Sequence, residues 1–313
     1  MSNKRFFTTN KFQASGHLAV ISANIMWGLM APIAKLVMSG AVITPLILAD
    51  FRIFGATALF WLLSLFMPYE KVPIQDILKL AGAALLGILF NQGCYVFGVG
   101  MTSPGEASII TTTMPMWVMI LAWLILKEPI TLKKAGGIAI GAAGALLLVY
   151  GSGGANSNSG DNPVFGDILV LCAQFSYALY LTLYKNFIKK YSLVTLMKWM
   201  FLFAAIGLAP FSISSITEIN WQALTATDVW GTAYVVFFAT FLAYICVMTG
   251  QKVLRPTLVG IYNYVQPIVA TSVGIWLGLD QMSFTKGFAI VLIFTGVWLV
   301  TISKARHQDT NVR

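Results

Sequence analysis

Long apolar runs separated by short polar breaks dominate the pattern of hydrophobic positions along this chain. A helix rises about 1.5 Å per residue, so roughly 20 apolar residues cross the hydrocarbon core of a bilayer. Runs of about this length cover residues 17–38, 45–66, 78–101, 104–126, 132–150, 166–188, 194–215, 228–252, 255–278 and 283–303. The pattern predicts an all-α membrane protein with ten transmembrane helices.

The composition and the motifs of the chain argue against several classes of function. Apolar residues make up 58% of the chain and charged residues 10%, against roughly 25% charged in an ordinary soluble domain. The net charge of +9 comes from basic residues scattered over short loops, which is not the basic patch of a nucleic-acid-binding protein. The sequence contains no H-E-x-x-H or G-x-S-x-G motif, and His17 and His307 are its only histidines. We therefore expect no enzyme, no cofactor, no metal site and no nucleic acid partner.

An internal repeat divides the chain. Residues 104–144 recur without a gap as residues 256–296, an offset of 152. The matched pairs are Pro104/Pro256, Pro115/Pro267, Glu128/Asp280, Thr131/Ser283, Lys134/Lys286 and Gly144/Gly296. At an offset of 150, the first apolar run also has a copy, with the pairs Asn24/Gln174, Trp27/Tyr177 and Lys35/Lys185. Five helices per copy is an odd number, so the second copy is expected to be inverted in the membrane, as in secondary transporters.

The repeat and a Gly/Ser/Asn-rich segment, GSGGANSNSGDNP from Gly151 to Pro163, define the expected domain organisation. We predict a cytoplasmic N-terminal tail (1–15), a first repeat (16–150), a flexible outward linker (151–164), a second repeat (165–303) and a cytoplasmic C-terminal tail (304–313).

Lysine and arginine placement predicts the orientation. With the N-terminus inside, almost all basic residues fall in inward loops and helix ends, and only Lys35 and Lys286 fall outside. The positive-inside rule then places both termini in the cytoplasm. We expect a multi-pass protein of the bacterial inner (plasma) membrane.

Two segments resemble a known repeat. They read TMPMWVMILAWLILKEPITLKKAGGIAIGAAG and VQPIVATSVGIWLGLDQMSFTKGFAIVLIFTG, and each has a proline, an acidic residue, Thr or Ser, Lys and a glycine-spaced final helix. This pattern resembles the EamA-type repeat of the drug/metabolite transporter superfamily. WGLMAPIAK, at residues 27–35, is similar to the first-span signature of that family, and Pro45 with Arg52 resembles its second-span pattern.

The resemblance implies a ten-helix permease built from two inverted five-helix repeats. It implies a central cavity lined by the first, third and fourth helices of each half. The second half lacks an arginine equivalent to Arg52, so a role of Arg52 shared by both halves is not implied.

Two prolines are predicted to kink helices near the bilayer centre. Pro115 and Pro267 each lie eleven residues beyond the proline that opens their run, which is a depth of about 16 Å. Each proline leaves unbonded the carbonyl four residues earlier, that of Thr111 or Asn263. Either the kinks improve packing, with threonine hydroxyls bonding back to their own helix, or they face a cavity.

Amide and aromatic residues gather at the same depth in several runs. Burying an unbonded amide costs about 2–7 kcal/mol, so these residues either join helices to one another or line a cavity. The set as a whole favours a cavity suited to an amphipathic or zwitterionic solute. The predicted substrate-binding residues are Asn24, Trp27, Asn91, Gln92, Tyr95, Thr111, Gln174, Tyr177, Tyr244, Asn263 and Gln266.

Charged residues within the runs are few, and three are candidates for gating or coupling: Asp50, Arg52 and Glu106. Asp50 and Arg52 are two residues apart and do not face each other on a helix. We interpret both as part of an outer gate, with Arg52 meeting Glu106 or a carbonyl of another helix. Glu106 also has a plain explanation, because a carboxylate is favoured at a helix start.

Two further patterns are interpreted as structural. Glu128 and Asp280 are expected to anchor the turns in which they lie, and Gly137 with Gly141 is expected to allow close helix packing within a monomer. We therefore expect the protein to be a monomer or a weak homodimer.

The combined pattern favours a secondary-active permease or exporter that moves a small organic solute, such as an amino acid or amine, by alternating access. A lipid-type flippase or a channel-like facilitator is the alternative, and a membrane-embedded enzyme has no motif in its favour. The expected partners are the solute and the lipid bilayer.

Overall fold

The structure is a computed structural model, and it describes residues 2–38, 42–101, 110–111, 113–151, 163–217, 219–276 and 283–303. This part of the chain forms helices and turns, with no strand within it. The helices are α1 (Ser2–Met38), α2 (Pro45–Ser64), α3 (Ile74–Ala84), α4 (Asn91–Met101), α5 (Met114–Leu126), α6 (Leu132–Gly151), α7 (Pro163–Leu183), α8 (Leu193–Thr217), α9 (Ala226–Val236), α10 (Ala243–Val253), α11 (Pro256–Ile261), α12 (Val265–Trp276) and α13 (Phe284–Thr301).

Short turns of other helical types join or follow several of these helices. A π-helical turn, Leu85–Phe90, joins α3 to α4, and a second, Phe237–Leu242, joins α9 to α10. A 3₁₀ turn, Tyr262–Tyr264, separates α11 from α12. Further 3₁₀ turns lie at Phe187–Lys189 and Trp221–Ala223.

Helix lengths and the outer surface fit a membrane protein. Within the described residues, five helical stretches are long and apolar enough to span a bilayer: Leu46–Ser64, Ile74–Tyr95, Val164–Leu183, Leu193–Ser212 and Ala226–Val253. Met114–Leu126 and Gly287–Thr301 are apolar but shorter. Large apolar side chains are exposed around the outside, among them Trp123, Phe211, Trp230, Phe284 and Trp298. A water-soluble protein rarely exposes so much apolar surface.

Two differences between the helices and the predicted runs concern α1 and the run at 255–278. α1 begins at Ser2, so residues 2–15, expected to be a tail, continue the first helix without a break. Neither Pro nor Gly occurs before Gly16 to end a helix there. The run predicted at 255–278 is divided by its 3₁₀ turn, just before Pro267.

Local sequence explains how some helices begin. The Thr44 side chain accepts a hydrogen bond from the backbone N–H of Ile47 at 3.3 Å, and Pro45 follows in the first turn of α2. Thr225 and Asp228 form a reciprocal capping box at the start of α9.

The elements recur at the offset of the sequence repeat. α3 begins at residue 74 and α9 at 226, the two π-helical turns begin at 85 and 237, and α4 and α10 begin at 91 and 243. α6 and α13 begin at 132 and 284. Each difference is 152 residues, so the duplication extends to the non-standard turns.

Packing between the halves follows the same correspondence. The most extensive helix pairs are α6 with α13, α4 with α7, α2 with α8, α1 with α10, α1 with α12, and α5 with α7. When each helix is replaced by its equivalent in the other half, the α1–α10 pair becomes the α7–α4 pair. In the same way, the α1–α12 pair becomes the α7–α5 pair. The α2–α8 and α6–α13 pairs are converted into themselves, as expected for halves related by an approximate twofold axis.

α6 and α13 approach closely because glycines face each other. A Cβ atom on Gly296 would lie 2.5 Å from the carbonyl oxygen of Gly137, and one on Gly137 would lie 2.8 Å from the carbonyl oxygen of Gly296. Real Cβ atoms are not found so close to backbone. The predicted close packing at Gly137 within a monomer is confirmed.

One end of the bundle, which we call the basic end, comprises loops 65–73, 127–131, 184–192 and 252–255. Lys190 and Tyr191 bond Asp76 at the start of α3, and Lys252 Nζ donates to the Tyr191 carbonyl at 2.5 Å. The backbone N–H of Ser192 donates to Glu70 at 2.9 Å. These contacts gather lysine-rich loops of both halves at one end.

Candidate functional site

A central cavity of about 220 Å³ opens between the two halves. Its lining comprises Trp27, Gly28, Met30, Arg52, Asn91, Gln92, Tyr95, Thr111, Gln174, Tyr177, Tyr244, Asn263, Tyr264, Gln266 and Pro267. Ten of the eleven predicted substrate-binding residues lie in this lining. Gly28 and Met30 were not predicted, since neither carries a polar or aromatic group.

Asn24 is the predicted residue that lies outside the lining. Its side chain is fully buried, and its Nδ2 donates to the Val20 carbonyl at 2.8 Å. Its Oδ1 accepts a 2.8 Å hydrogen bond from Gln266 Nε2. Asn24 therefore holds the amide of a lining residue in place.

Equivalent positions of the two repeats meet at the cavity. Thr111 and Asn263, 152 residues apart, both line it, as do Trp27 and Tyr177, 150 residues apart. The cavity is therefore lined jointly by equivalent positions of the two repeats.

The chain leaves α-helical geometry before each of the two prolines predicted to kink. Pro115 lies in the first turn of α5, is buried and is absent from the cavity lining, whereas Pro267 lines the cavity. The hydroxyl of Thr113 donates to the Ile110 carbonyl at 2.7 Å, as the packing interpretation predicts. Thr111, four residues before Pro115, nevertheless lines the cavity.

The two π-helical turns lie beside the cavity and contact the first helix of the opposite half. Trp27 Nε1 on α1 donates to the Ala239 carbonyl at 2.9 Å, and Ser176 Oγ on α7 donates to the Leu86 carbonyl at 2.8 Å. π-Helical turns are rare and often found at functional sites. The sequences LLGILF and FFATFL give no signal for them, since ordinary apolar helix would have the same composition.

Arg52, predicted to belong to an outer gate, lines the cavity. Its Nε donates to Thr240 Oγ1 at 3.0 Å, and a terminal guanidinium nitrogen donates to Gln92 Oε1 at 2.9 Å. These partners are side chains and not the backbone carbonyl considered in the sequence interpretation. Glu106, the other predicted partner, lies outside the described residues.

Asp50 forms a hydrogen bond with a residue of α8 and not with Arg52. It is fully buried, and its Oδ1 accepts a 2.5 Å hydrogen bond from Ser212 on α8. Its Oδ2 has no hydrogen-bond partner within the described part of the chain. Asp50 and Arg52 are not paired with each other, as their spacing on the helix predicts.

A layer of hydrogen-bonded side chains lies between the cavity and the basic end. Gln251 Nε2 donates to the Tyr177 hydroxyl at 3.2 Å, and the Tyr180 hydroxyl donates to Gln251 Oε1 at 3.0 Å. All three side chains are buried. Tyr180 is one helical turn beyond Tyr177 toward the basic end, so these hydrogen bonds lie between the lining residue Tyr177 and that end.

Glu128 joins the two halves within the basic end. Its Oε1 accepts from Lys185 at 3.1 Å, and its Oε2 accepts from Lys134 at 3.1 Å and from the Thr257 hydroxyl at 3.2 Å. Burial raises the pKa of Glu128, but the two lysines lower it by more, so the net shift is downward. Glu128 therefore anchors its turn through Lys134, as predicted, and also reaches the second half. Asp280 lies outside the described residues.

The cavity combines polar and aromatic side chains. Its lining offers amides, hydroxyls, aromatic faces and one guanidinium group. Among the described residues, no group of three or more His, Cys, Asp or Glu side chains could hold a metal ion. The lining is suited to hold an organic solute by hydrogen bonds and aromatic contacts.

Known proteins of similar sequence are transporters. The sequence profile of the EamA-like transporter family matches residues 14–150 and 164–302. The chain is 24% identical over 298 residues to the "Uncharacterized transporter YoaV" of Bacillus subtilis (strain 168), covering 93% of this chain and 98% of the relative. It is 28% identical over 262 residues to the "Uncharacterized inner membrane transporter YedA" of Escherichia coli (strain K12), covering 83% and 82%.

A solved crystal structure has the same fold. It superposes with a TM-score of 0.76 at 16% sequence identity, covering 92% of this chain and 96% of the other. The match of the family profile to both halves shows that the chain belongs to the EamA-like transporter family.

Proposed function

We propose that this protein is a secondary-active transporter that moves a small organic metabolite across the bacterial inner membrane by alternating access. Its ten transmembrane helices form two inverted five-helix repeats, and both termini are cytoplasmic. The observation that carries the proposal is the central cavity, which equivalent positions of both repeats line together.

The inverted arrangement is supported by three features. Element boundaries recur at 152 residues, and the helix pairs are converted into one another when the halves are exchanged. Loops of both halves meet at the basic end, which the positive-inside rule assigns to the cytoplasm. An odd number of helices per copy makes the second copy inverted.

Alternating access is supported by the contacts that lie between the cavity and the basic end. The layer of Tyr177, Tyr180 and Gln251 is held by hydrogen bonds, and Glu128 joins the halves by ion pairs. Such contacts can break and re-form when one half rocks against the other. In this proposal, the same contacts close the cavity to the cytoplasm while they are intact.

The size and lining of the cavity support a small solute. A volume of about 220 Å³ is below the 300–1,000 Å³ typical of sites for drug-sized ligands. Amides that orient a polar group and aromatic side chains that contact an apolar one suit an amino acid, an amine or a related metabolite.

Ligand screening followed by transport tests the proposal. A solute that raises the unfolding temperature of the purified protein by mass action is loaded into proteoliposomes, and saturable counterflow is measured. Trp27→Ala should abolish both effects, whereas Trp298→Ala, at a side chain 60% exposed on the outer surface, should leave both unchanged. Non-saturable flux would indicate a channel, and transfer of labelled lipid between leaflets without solute counterflow would indicate a flippase; either would contradict the proposal.

A further inference from the structure

Arg52 is a buried cation without a described anionic partner. Its side chain lies on α2, and the residue is only 8% exposed. Its two hydrogen bonds go to neutral acceptors, Thr240 Oγ1 and Gln92 Oε1. No carboxylate of the described residues lies within ion-pair distance of it.

The described surroundings of Arg52 do not compensate its charge. Every other described residue that lines the cavity is apolar, an amide, a hydroxyl or an aromatic residue. Asp50, two residues away on the same helix, is directed to Ser212. Thr240 cannot become an anion, and its own hydroxyl donates to the Val235 carbonyl at 2.8 Å.

We propose that the cavity binds a small organic anion and that Arg52 receives its carboxylate. A buried charge costs several kcal/mol unless an opposite charge and hydrogen bonds compensate it. A guanidinium group has five N–H donors in a planar fork that matches a carboxylate, and the bonds above use two of them. A bound carboxylate would supply the missing charge and accept remaining donors in a bidentate pair.

The rest of the lining indicates what the anion carries besides its carboxylate. Trp27 and Tyr244 pack edge to face with ring centroids 5.9 Å apart, and Gln92, which bonds Arg52, lies 3.5 Å from the Tyr244 hydroxyl. An apolar or aromatic body can therefore contact these rings while the carboxylate reaches Arg52. This inference rests on the proposed function, since it takes the cavity to be the site where the solute binds.

The sign of the cavity potential can be measured without knowing the solute. Cys94, Cys172 and Cys246 are replaced by alanine, and one cysteine is introduced at the lining position Met30. Its reaction rates are compared for two methanethiosulfonates, the anionic sulfonatoethyl and the cationic trimethylammonioethyl reagent. A cysteine at Gln222, exposed in the turn that precedes α9, serves as the control.

We expect the ratio of the anionic to the cationic reaction rate to be several-fold higher at the cavity cysteine than at the control cysteine. Arg52→Gln should lower this ratio at the cavity cysteine to that of the control, and should leave the ratio at the control unchanged. Arg52→Lys should retain the preference because it retains the charge. If Arg52→Gln does not fold, the comparison of the two cysteine positions with Arg52 intact still shows whether the cavity prefers the anionic reagent. Equal rates, a preference for the cation, or no reaction with either reagent would overturn the proposal.

Matched probes then distinguish a simple anion from a zwitterion. Stabilisation against heat is measured with 3-phenylpropionate, phenylalanine and phenethylamine, which carry a carboxylate, both groups and an ammonium group, respectively. We expect stabilisation by at least one of the two carboxylates and an affinity roughly 10- to 100-fold weaker in Arg52→Gln, as for a lost charge-assisted hydrogen bond. Stabilisation by phenethylamine alone, equal binding by Arg52→Gln, or no stabilisation by either carboxylate would contradict the proposal.

The outcomes separate this inference from the proposed function. If the protein shows saturable counterflow of a cation or neutral solute and no preference for the anionic reagent, the transporter function stands and the anion inference fails. If the anionic reagent is preferred and a carboxylate binds but no counterflow occurs, the cavity binds anions and the transport proposal fails.

Discussion

Gln92 and Tyr244 occupy equivalent positions of the two repeats, 152 residues apart, and Gln92 Nε2 lies 3.5 Å from the Tyr244 hydroxyl. Both residues also line the cavity, and Gln92 accepts a hydrogen bond from Arg52. An amide in one repeat thus meets a phenol in the other within the lining of the candidate site.

A cross-link should therefore form between these two positions. With cysteines at positions 92 and 244 in a cysteine-free background and a protease site inserted in residues 152–160, a short bifunctional thiol reagent should keep the two halves together on a denaturing gel after cleavage. If the halves move during transport, cross-linking should also stop counterflow, and a reducible cross-linker should allow recovery. The pair 92 and 298 is the control, since Trp298 is exposed on the outer surface; equal cross-linking of both pairs would contradict the placement.

The glycine contact between α6 and α13 predicts opposite effects at neighbouring positions. Gly137→Ala places a methyl group 2.8 Å from the Gly296 carbonyl oxygen, and such overpacking costs about 1–3 kcal/mol. A Cβ on Gly136 would meet no atom within 4 Å, so Gly136→Ala should be neutral or stabilise the helix by up to about 1 kcal/mol. Thermal unfolding in detergent measures both, and similar melting temperatures for the two variants would be inconsistent with this close approach.

Opposite ends of the bundle should be accessible from opposite sides of the membrane. Lys189 is exposed in the basic end, and Gln222 is exposed in the turn before α9. A cysteine at Lys189 should react with a membrane-impermeant maleimide only in inverted vesicles, and a cysteine at Gln222 only in intact cells whose outer membrane has been permeabilised. Labelling of both positions from the same side would refute the proposed orientation.

The grouping of mid-run residues could be predicted from the sequence, because helix rise converts residue number into position along a helix. Trp27, Asn91 and Asn263 were assigned to the middle of their runs on that basis, and the structure places them in one cavity. The direction in which a side chain points could not be predicted as well. A helix that is apolar on all sides has no polar face to fix its rotation. The sequence therefore could not show that Gln266 lines the cavity and that Asn24 does not.

Arg52 shows that the direction of a charged side chain could not be predicted either. Counting residues from the start of its run places it near the outer rim, but its long side chain reaches Gln92 and Thr240 beside the cavity. The two π-helical turns are a second example, since an extra residue in a helical turn leaves no mark in an apolar sequence. Their recurrence at an offset of 152 residues is visible only in the structure.

Glu128 should make stability depend on pH. The ordinary pKa of a glutamate is 4.5, and the lysines lower that of Glu128 in the fold despite its burial. A lowered pKa means that the carboxylate stabilises the fold fully above the ordinary value and that this contribution is lost as the pH falls through the folded-state pKa. Glu128→Gln should therefore unfold more readily than the wild type at pH 7, and the two should converge in acid.

The size of this effect follows from Lys134, whose side chain is 1% exposed and would lose its anionic partner in Glu128→Gln. Leaving one charge of a buried pair alone costs about 3–5 kcal/mol, so denaturant unfolding in detergent can resolve the difference. Glu70→Gln is the matched control, because Glu70 accepts from the exposed backbone N–H of Ser192 and its loss should cost less. If the gap between the wild type and Glu128→Gln stayed constant from pH 7 to acid, the ion pairs would not be its cause. If Lys185→Met and Glu128→Gln were additive, the two residues would not act as one unit across the halves.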